Sequence, residues 1–383
     1  MMNKIVLITS MLQLYRLTFY KKLSEIYRDE NFIVYYGITS KEDGKIRHKG
    51  KTDFRSKGFT EYKLRILPFE VVFNLSMYSE IRQLNPDVII MLASTGNITY
   101  RRIISWAKRN NKRVIIWTSG WEPGRAKGVM LKFKNILVSS FFKKADFFLT
   151  YSSYASLYVK SMGVDNSKIE ICYNGIETDE MERDSSQIKL RSEELIKKYD
   201  LEGYITFIYV GGLIPEKRTD LLIDAFARLR LKYDKIKLLL IGDGPLRSMV
   251  EEKLKSINDP NIYYLGRIFE GVDVFFAAAD CLVLPGAGGL ALNQAMFLGK
   301  PCIASKADGT EDDLVIENVS GYRFEENNLD SLIAAMERRI LDDQEKVKIL
   351  SDNARQIITT KSNVNNMVDI FSRTINKLLA ASR

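Results

Sequence analysis

Short, apolar, β-branched segments alternate with amphipathic helical segments along almost the whole chain, and the pattern starts again in the second half. This order predicts parallel sheets with helical crossovers. The strand-like segments are residues 4–8, 32–36, 87–92, 113–117, 146–150 and 168–172, then 205–210, 237–241, 262–265, 281–284 and 302–304. The helical patterns include residues 15–27, 99–108, 218–231 and 245–254, the last with Pro245 in its first turn.

The chain has 383 residues, which favours two domains over one core. A charged stretch without periodicity, residues 178–189, lies between the two halves, and we interpret it as a linker. The sequence therefore predicts an α/β fold with two Rossmann-like, doubly wound domains, 1–177 and 190–362, facing a central cleft. Ligands bind beyond the carboxyl ends of the strands in such sheets, so the cleft is the expected active site.

The histidine and cysteine content excludes several kinds of active site. The single histidine, His48, lies in the polar stretch 41–58, so a Ser-His-Asp triad, a Cys-His pair and a His-rich zinc site are excluded. Cys172, Cys281 and Cys302 lie in or beside apolar segments without CxxC spacing, which predicts buried free thiols. We expect no metal site.

The apolar segments are too short for a membrane span. Asp273 and Asp280 interrupt the longest candidate, residues 272–284, and a span needs roughly 20 apolar residues. The N-terminal apolar stretch, residues 5–8, is not followed by a cleavage site of small residues, so no signal peptide is predicted. We expect a cytoplasmic protein.

Charge is divided unequally along the chain. Residues 1–175 carry 29 Lys and Arg against 14 Asp and Glu, whereas the remainder carries 28 against 34. Residues 101–150 alone have 12 basic and 2 acidic side chains, with basic and apolar residues interleaved. Such a segment is a solvated helix face, a nucleic-acid footprint or a surface for anionic lipid. Since no nucleic-acid-binding motif accompanies it, an anionic membrane surface is the favoured partner, with the protein peripheral on the inner face of the membrane.

Two places in the second half combine a strand, a glycine-containing turn and a helix, the arrangement by which a backbone offers free N–H groups to phosphate. Gly211 and Gly212 begin the first turn, and Lys217 and Arg218 end it, where they can neutralise a diphosphate. A helix start with two exposed cations is the alternative. The second turn, residues 285–291, contains three glycines.

The second turn also fits the G-x-G-x-x-A dinucleotide fingerprint through Gly286, Gly288 and Ala291, with Asp308 near the expected distance. A nicotinamide oxidoreductase is therefore an alternative. The fingerprint belongs after the first strand of a domain, however, whereas this turn follows the fourth strand of the second half. Residues 242–244 form a weaker match, because Arg247 occupies the place of the third glycine.

In these motifs the chain resembles the retaining GT-B glycosyltransferases often called family 4, and the resemblance spans nearly the whole chain. Ala145-Asp146 with Ser152 resembles the "AD…S" segment, and residues 174–177 resemble "NGID". The remaining matches are residues 211–217 to "GRL…K", 241–246 to "IGDGPL", 264–266 to "FLG", and 279–285 with Ala295, Met296, Gly299 and Pro301 to "AD…LP…EAM…G.P".

The resemblance implies transfer of a sugar from a nucleotide-sugar donor, UDP-linked rather than GDP-linked, to an acceptor hydroxyl. It also implies retained anomeric configuration, no metal or other cofactor, and a role in polysaccharide or glycolipid assembly. The second domain would bind the donor and the first a glycan or lipid-linked acceptor, with a C-terminal helix, about 363–383, packed back on the first domain. Lys217, with Arg218 beside it, would pair with the diphosphate, and the amides of Gly289 and Leu290 would help to hold it.

Three positions depart from the family pattern. The family usually has two glutamates separated by seven residues, and here Gly286 and Gln294 occupy these positions; Gly212 replaces an arginine. Gln294 can still hydrogen-bond a ribose hydroxyl, but a neutral amide binds less strongly than a charged acceptor. The chain is either a divergent active subgroup, which we favour, or a non-catalytic protein that binds nucleotide sugars or glycans.

Fewer residues are assigned to the acceptor side than to the donor side. Tyr15 and Arg16 follow the first strand, and an ordinary helix N-terminus is the alternative interpretation. Gly120 and Trp121 follow the fourth strand-like segment, where a plain surface turn is the alternative.

Three more residues are assigned to the donor side, namely Gly288, Arg267 and Glu311. Glu311 follows the last predicted strand, where capping of the next helix is the alternative.

Overall fold

The structure is a computed structural model that describes residues 3–38, 51–66, 69–94, 96–120, 129–306 and 309–381. The chain divides into two compact units. The first unit consists of Met1–Tyr173 and Val364–Arg383, and the second unit consists of Asn174–Asn363. Each unit has its own parallel sheet, and the predicted α/β class is confirmed.

The strands of the first unit are β1 (Ile5–Thr9), β2 (Phe32–Ile38), β3 (Ser56–Thr60), β4 (Tyr62–Ile66), β5 (Phe69–Phe73), β6 (Val88–Leu92), β7 (Arg113–Thr118), β8 (Phe147–Thr150) and β9 (Ile169–Ile171). Its α-helices are α1 (Leu17–Tyr27), α2 (Met77–Leu84), α3 (Ile98–Arg109), α4 (Val129–Phe142), α5 (Ser153–Ser161) and the C-terminal α15 (Val364–Ala380). Short 3₁₀ helices lie at Leu14–Arg16 and Asn166–Lys168.

The strands of the second unit are β10 (Ile205–Val210), β11 (Ile236–Ile241), β12 (Ile262–Tyr264), β13 (Cys281–Leu284), β14 (Cys302–Ala304) and β15 (Gly321–Arg323). Its α-helices are α6 (Thr178–Arg183), α7 (Ser185–Lys198), α8 (Thr219–Arg230), α9 (Arg247–Ile257), α10 (Val272–Ala278), α11 (Leu290–Phe297), α12 (Thr310–Leu314), α13 (Leu329–Leu341) and α14 (Gln344–Lys361). A 3₁₀ helix lies at Pro215–Lys217.

The main sheet of the first unit is parallel, and its described strands lie in the order β3-β2-β1-β6-β7-β8-β9. Strands β4 and β5 form a separate antiparallel pair. Ile5 and Leu7 of β1 belong to one apolar cluster with residues of α1 and α15, while Val6 and Ile8 belong to another with residues of α3. Because helices cover both faces, the strand is a continuous apolar run without alternation.

The sheet of the second unit is parallel as well, and its described strands lie in the order β12-β11-β10-β13-β14-β15. The order changes direction between β10 and β13, just as it does between β1 and β6 in the first unit. Each sheet therefore has one switch point, the place where a ligand crevice opens beyond the strand ends.

An aspartate fixes the amino edge of each sheet by the same device. Asp146 Oδ2 accepts the Val114 N–H at 2.8 Å in the first unit, and Asp280 Oδ2 accepts the Thr206 N–H at 2.8 Å in the second. Asp146 directly precedes β8 and accepts a hydrogen bond from the start of β7, and Asp280 directly precedes β13 and accepts one from the start of β10. The two "AD" motifs of the sequence therefore set strand register.

Several sequence-based expectations need correction. The stretch 178–189 is helical, in α6 and α7, because Glu177 caps α6 and because α7 turns only Ile188 and Ser192 inward, which gives it a charged sequence. Pro245 precedes α9 instead of lying in its first turn, since the Leu246 N–H is bonded to the carbonyl of a neighbouring loop. Strands β3, β4, β5 and β15 were not predicted from the sequence.

The three cysteines are buried free thiols, as predicted. Burial raises the pKa of Cys281 to about 12 and the pKa of Cys172 and Cys302 well above the ordinary thiol value, so all three are neutral at physiological pH. His48 and Asp308 lie outside the described residues.

Candidate functional site

Two turns border the switch point of the second sheet. The lysine turn, residues 211–218, follows β10, and the glycine turn, residues 285–289, follows β13. Because β10 and β13 are parallel neighbours, both turns leave the same edge of the sheet. The structure thus brings together the two glycine-containing turns that the sequence analysis selected.

The lysine turn and the glycine turn are bonded directly to each other. The Ala287 N–H donates to the Glu216 carbonyl oxygen at 2.9 Å. The Lys217 ammonium donates to the carbonyl oxygens of Ala287, at 2.5 Å, and of Gly288. A Cβ on Gly286 would overlap the Glu216 carbonyl oxygen, so residue 286 must be glycine where these two backbones meet. A glutamate at this position does not fit the arrangement.

A buried carboxylate also supports the glycine turn. Glu311, in the first turn of α12, is 1% exposed, and its Oε1 accepts the Gly288 N–H at 2.7 Å. A Cβ on Gly288 would overlap that oxygen. Contacts within the fold therefore account for both glycines, Gly286 and Gly288, of the dinucleotide-like pattern. Glu311 holds the backbone here, and its contact with a donor sugar stays a prediction.

Helix α11 begins immediately after the glycine turn. Gly289 is its N-cap, with a φ of +148° that favours glycine. Within the described part of the chain, the amides of Gly289 and Leu290 have no hydrogen-bond acceptor. A Cβ built on Gly289 would lie 3.8 Å from Lys217 Nζ, so the ammonium stands beside the helix N-terminus. One positive charge and two open amides suit an anion such as a diphosphate.

The loop after β11 holds the start of the lysine turn. A Cβ on Gly242 would overlap the Gly211 carbonyl oxygen, and the Leu213 N–H donates to the Asp243 carbonyl oxygen at 3.1 Å. The "IGDGPL" segment therefore positions the lysine turn, a role that the sequence analysis did not assign. Around Gly212 there is room for a side chain, since the nearest atom to a built Cβ is the Asp243 carbonyl oxygen at 4.0 Å.

The side chain of Arg218 has different partners from the side chain of its neighbour Lys217. It has a left-handed φ of +48°, and its guanidinium binds both carboxylate oxygens of Asp220 at 3.1 Å as well as the Asn327 side chain. The hydrogen bond to Asp220 raises the pKa of Arg218. The structure does not bond this guanidinium to the glycine turn, so of the two neighbouring cations Lys217 is the one bonded to that turn.

The other two donor-side candidates lie nearby in the same unit. Arg267 follows β12 and is exposed, with its Cζ 5.7 Å from the centroid of the Phe269 ring. Gln294 lies on α11, is half-buried, and makes no hydrogen bond with any described residue through its side chain. An amide without an internal partner is available to a ligand hydroxyl.

The acceptor-side candidates of the first unit include a buried cation. Arg16 ends the 3₁₀ helix Leu14–Arg16 and is 4% exposed, whereas Tyr15 is 41% exposed. An Arg16 N–H donates to the Tyr151 hydroxyl at 2.8 Å, and Arg16 Cζ lies 4.2 Å from the centroid of the Trp117 ring. Arg16 is also the N-cap residue of α1, so the alternative interpretation, a helix start, holds for its backbone. Its side chain is buried among aromatic rings, and its role on the acceptor side stays a prediction.

The turn after β7 is described only in part. Gly120 has a φ of +82°, and its N–H donates to Thr118 Oγ1 at 3.0 Å. A Cβ on Gly120 would lie 3.0 Å from the Ala155 Cα. Trp121 lies outside the described residues, so its assignment to the acceptor side stays a prediction.

Comparison with known proteins agrees with this geometry. Residues 191–357 match the family described as glycosyl transferases group 1, and residues 33–180 match glycosyltransferase family 4. A glycosyltransferase of Methanocaldococcus jannaschii is 25% identical, and the alignment covers 94% of this chain and 93% of that protein. The chain is a GT-B glycosyltransferase.

Solved structures show the fold of this glycosyltransferase over its whole length. HepE from Anabaena in complex with UDP gives a TM-score of 0.74 at 14% identity, covering 98% of this chain and 100% of that one. Sucrose-phosphate synthase from Thermosynechococcus elongatus gives 0.70 at 16% identity, with 99% and 100% covered.

Two relatives of the glycosyltransferase have named activities. The N-acetyl-alpha-D-glucosaminyl L-malate synthase of Bacillus anthracis is 27% identical over 50% of this chain and 49% of that protein. The GDP-mannose-dependent alpha-(1-6)-phosphatidylinositol monomannoside mannosyltransferase of Mycobacterium tuberculosis is 24% identical over 65% and 66%.

The predicted basic segment of the glycosyltransferase includes α3 and α4. Val138, Phe141 and Phe142 of α4 are buried, while the Lys144 ammonium donates to Ser105 Oγ of α3 at 2.8 Å and Lys143 is exposed. A cavity of about 300 Å³ along α3 is lined by Tyr78, Ile98, Arg101, Arg102, Ser105 and Arg109. Among the described helices, none is long and apolar enough to cross a membrane.

The described residues contain no group of three or more His, Cys, Asp or Glu side chains that is placed to hold a metal ion. The only charged side chain bonded to the glycine turn in the described residues, apart from Glu311, is that of Lys217. Glu216 is a site residue that sequence reasoning missed. Its contribution is a backbone carbonyl, which no side-chain pattern reveals.

Proposed function

We propose that this glycosyltransferase moves a sugar from a UDP-linked donor to an acceptor hydroxyl, with retained anomeric configuration and without a metal ion. The observation that carries the proposal is the position of the Lys217 ammonium beside the open amides of Gly289 and Leu290 at the switch point of the second sheet. These groups place positive charge where a diphosphate leaves, and fixed charges and dipoles of this kind usually lower the reaction barrier more than any other single effect.

The reaction needs one bond exchange at the anomeric carbon. The bond from that carbon to the diphosphate oxygen breaks, and a bond from it to the acceptor oxygen forms. The acceptor hydroxyl proton passes to the departing diphosphate, so UDP is released with the charge that Lys217 and the amides stabilise. Retention requires attack from the face that the diphosphate leaves.

The assignment of UDP is supported by the bound nucleotide of the HepE structure, although the mycobacterial relative is named for GDP-mannose. Gln294 follows the amides by one turn of α11, and we assign it to the ribose hydroxyls. Arg267 and Glu311 are assigned to the donor as well.

The first unit is assigned to the acceptor, which we propose to be a glycan carried by a lipid in polysaccharide or glycolipid assembly. The mycobacterial relative is named for a phosphatidylinositol acceptor, and the basic residues of α3 together with Lys143 favour an anionic membrane surface. In this proposal the protein is cytoplasmic and docks on the inner face of the membrane through residues 101–150.

A non-catalytic nucleotide-sugar-binding protein is the second candidate, because one observation favours it. Residue 286, where the family usually has glutamate, has no space for any side chain beside the Glu216 carbonyl oxygen. The absence of a glutamate at residue 286 does not affect the groups assigned to the diphosphate, which are Lys217 and the amides of Gly289 and Leu290. Donor binding is thus common to both candidates, and turnover separates them.

The test is the release of UDP from UDP-sugars in EDTA, by the wild-type chain and by two lysine variants. Lys217→Ala lowers the turnover rate about 100-fold or more because it removes the charge facing the diphosphate. Lys253→Ala is the matched control, since Lys253 pairs with Asp224 on the outside of the same unit, and it leaves turnover unchanged. Equal turnover by wild type and Lys217→Ala would overturn the assignment, and UDP binding without turnover would favour the second candidate.

A further inference from the structure

The first unit contains a buried arginine that has no carboxylate partner among the residues that the structure describes. Arg16 is 4% exposed, and one of its side-chain N–H groups donates to the Tyr151 hydroxyl at 2.8 Å. Its Cζ also lies 4.2 Å from the centroid of the Trp117 ring and 5.3 Å from the centroid of the Tyr15 ring. An arginine remains charged in proteins, and a buried charge without a counter-ion is costly.

Among the described residues, two hydrogen-bond donors of this cluster have no acceptor. They are Arg16 Nε and Trp117 Nε1, and both atoms are buried. Burial raises the pKa of Tyr151 to about 12, so its hydroxyl keeps its proton at physiological pH. Since that oxygen already accepts the Arg16 N–H, its proton is free to be donated. The cluster offers a positive charge and three hydrogen-bond donors, and no carboxylate of the described residues is bonded to it.

This cluster lies where a ligand is expected. Arg16 follows β1, and Trp117 lies near the carboxyl end of β7 in the same parallel sheet, whose order changes direction between β1 and β6. Tyr15, directly before Arg16, is exposed and places an aromatic ring beside the guanidinium. A flat apolar face next to a buried cation suits a sugar ring that bears an acidic group.

We propose that Arg16, together with the Tyr151 hydroxyl and the Trp117 indole N–H, binds an oxyanion on the acceptor, either a sugar carboxylate or a phosphate ester. The proposal rests on the assignment of the first unit to the acceptor. According to this proposal, the acceptor is an acidic glycan. The guanidinium and the oxyanion form paired, charge-assisted hydrogen bonds, while Tyr15 covers one face of the sugar.

The experiment measures ligand binding by the full chain at constant ionic strength. The probes are glucuronate, glucose 6-phosphate, neutral glucose and UDP. Wild type binds one or both acidic sugars more tightly than glucose, and the Arg16→Gln variant weakens that binding about 10-fold to 100-fold because it removes the charge. Comparison of the affinities for glucuronate and for glucose 6-phosphate shows whether the site prefers a carboxylate or a phosphate ester.

Matched variants separate binding from structural support. Arg113→Gln removes an arginine at the opposite end of β7, which pairs with Asp146, and it leaves acidic-sugar binding unchanged. Tyr151→Phe keeps the ring packing but loses the hydroxyl, and it weakens acidic-sugar binding about 3-fold to 10-fold. It also provides the test should Arg16→Gln fail to fold.

Three results would overturn the proposal: equal binding of acidic sugars and glucose by wild type, unchanged acidic-sugar binding in both Arg16→Gln and Tyr151→Phe, or a loss confined to UDP, which would assign Arg16 to the donor diphosphate. Failure of the proposed function is distinguishable from these. If the chain does not bind UDP but binds acidic sugars through Arg16, the oxyanion site is supported and the proposed transfer from a UDP-linked donor is rejected.

Discussion

The switch points of the two sheets have the same topology and different chemistry. In the second unit, glycines bring two backbones together, and the charge is Lys217, bonded to carbonyl oxygens beside open amides. In the first unit, aromatic rings enclose the charge of Arg16. Backbone amides and a flexible ammonium suit a diphosphate, whereas a rigid guanidinium among rings suits an acidic sugar. One topology therefore supports two kinds of ligand, and the residues after the strands decide which.

The largest effect is expected from filling the glycine turn. Gly288→Ala places a Cβ against the Glu311 carboxylate, so we expect UDP affinity to fall at least 100-fold and the free energy of unfolding to fall by about 2 kcal/mol. Gly212→Ala is the control, because its Cβ has room, and it changes both quantities little. Calorimetric titration with UDP and chemical denaturation measure the two. If Gly288→Ala binds UDP normally, the glycine turn is not the diphosphate site.

A second prediction concerns the basic segment, residues 101–150, of the first unit. Neutralisation of three lysines in this segment is expected to weaken sedimentation with anionic vesicles about 100-fold at low salt, since each contributes about 1 kcal/mol. The lysines replaced by glutamine are Lys132, Lys134 and Lys143.

The matched control removes three exposed lysines from α7 of the second unit: Lys189, Lys197 and Lys198. Vesicle binding is expected to be nearly unchanged in that variant. Equal loss in both variants would mean that overall charge, and not the surface of the first unit, attracts the membrane.

A third prediction concerns the aspartate that accepts a strand N–H in each unit. Asp146→Asn and Asp280→Asn each weaken a hydrogen bond to a strand amide, at a cost of about 1–2 kcal/mol. The Asp146 variant costs more, because it also loses the ion pair with Arg113 at 3.4 Å. Hydrogen exchange at the Val114 and Thr206 amides reads the two sites separately. Faster exchange at Thr206 than at Val114 would contradict this order.

The smallest effect is expected at Gln294. Gln294→Glu restores a charged acceptor on α11, and we expect UDP-sugar affinity to rise about 2-fold to 5-fold through stronger hydrogen bonds to the ribose. Gln356→Glu, on the exposed side of α14, is the control for added charge. A weaker affinity in Gln294→Glu would place this residue away from the ribose.

The sequence predicted the buried strands well because strands covered on both faces are continuous apolar runs, as in β1 and β10. It missed β3, an edge strand in which Phe59 alone is buried, and β15, which has three residues. Residues 178–189, which form α6 and the start of α7, were interpreted as a linker, because α6 has no buried residue and α7 has only two, so the sequence shows almost no periodicity there.

The candidate site was predictable to the extent that motif spacing marks it. Lys217 and the glycine turns follow strands at recognisable spacing, and the structure brings them together. The bond from Ala287 to the Glu216 carbonyl was not predictable, because a backbone contact leaves no trace in side-chain types. The burial of Arg16 was missed as well, since its partners Trp117 and Tyr151 are far away in sequence.

The most direct measurement is the melting temperature of the full chain in EDTA with UDP, GDP, ADP or NAD, for wild type and for Lys217→Ala. A ligand that binds the folded state alone raises the melting temperature. We predict a rise with UDP that exceeds the rise with the other nucleotides and that Lys217→Ala abolishes. No shift with any nucleoside diphosphate, or an equal UDP shift in Lys217→Ala, would contradict a diphosphate site at the lysine turn and the glycine turn.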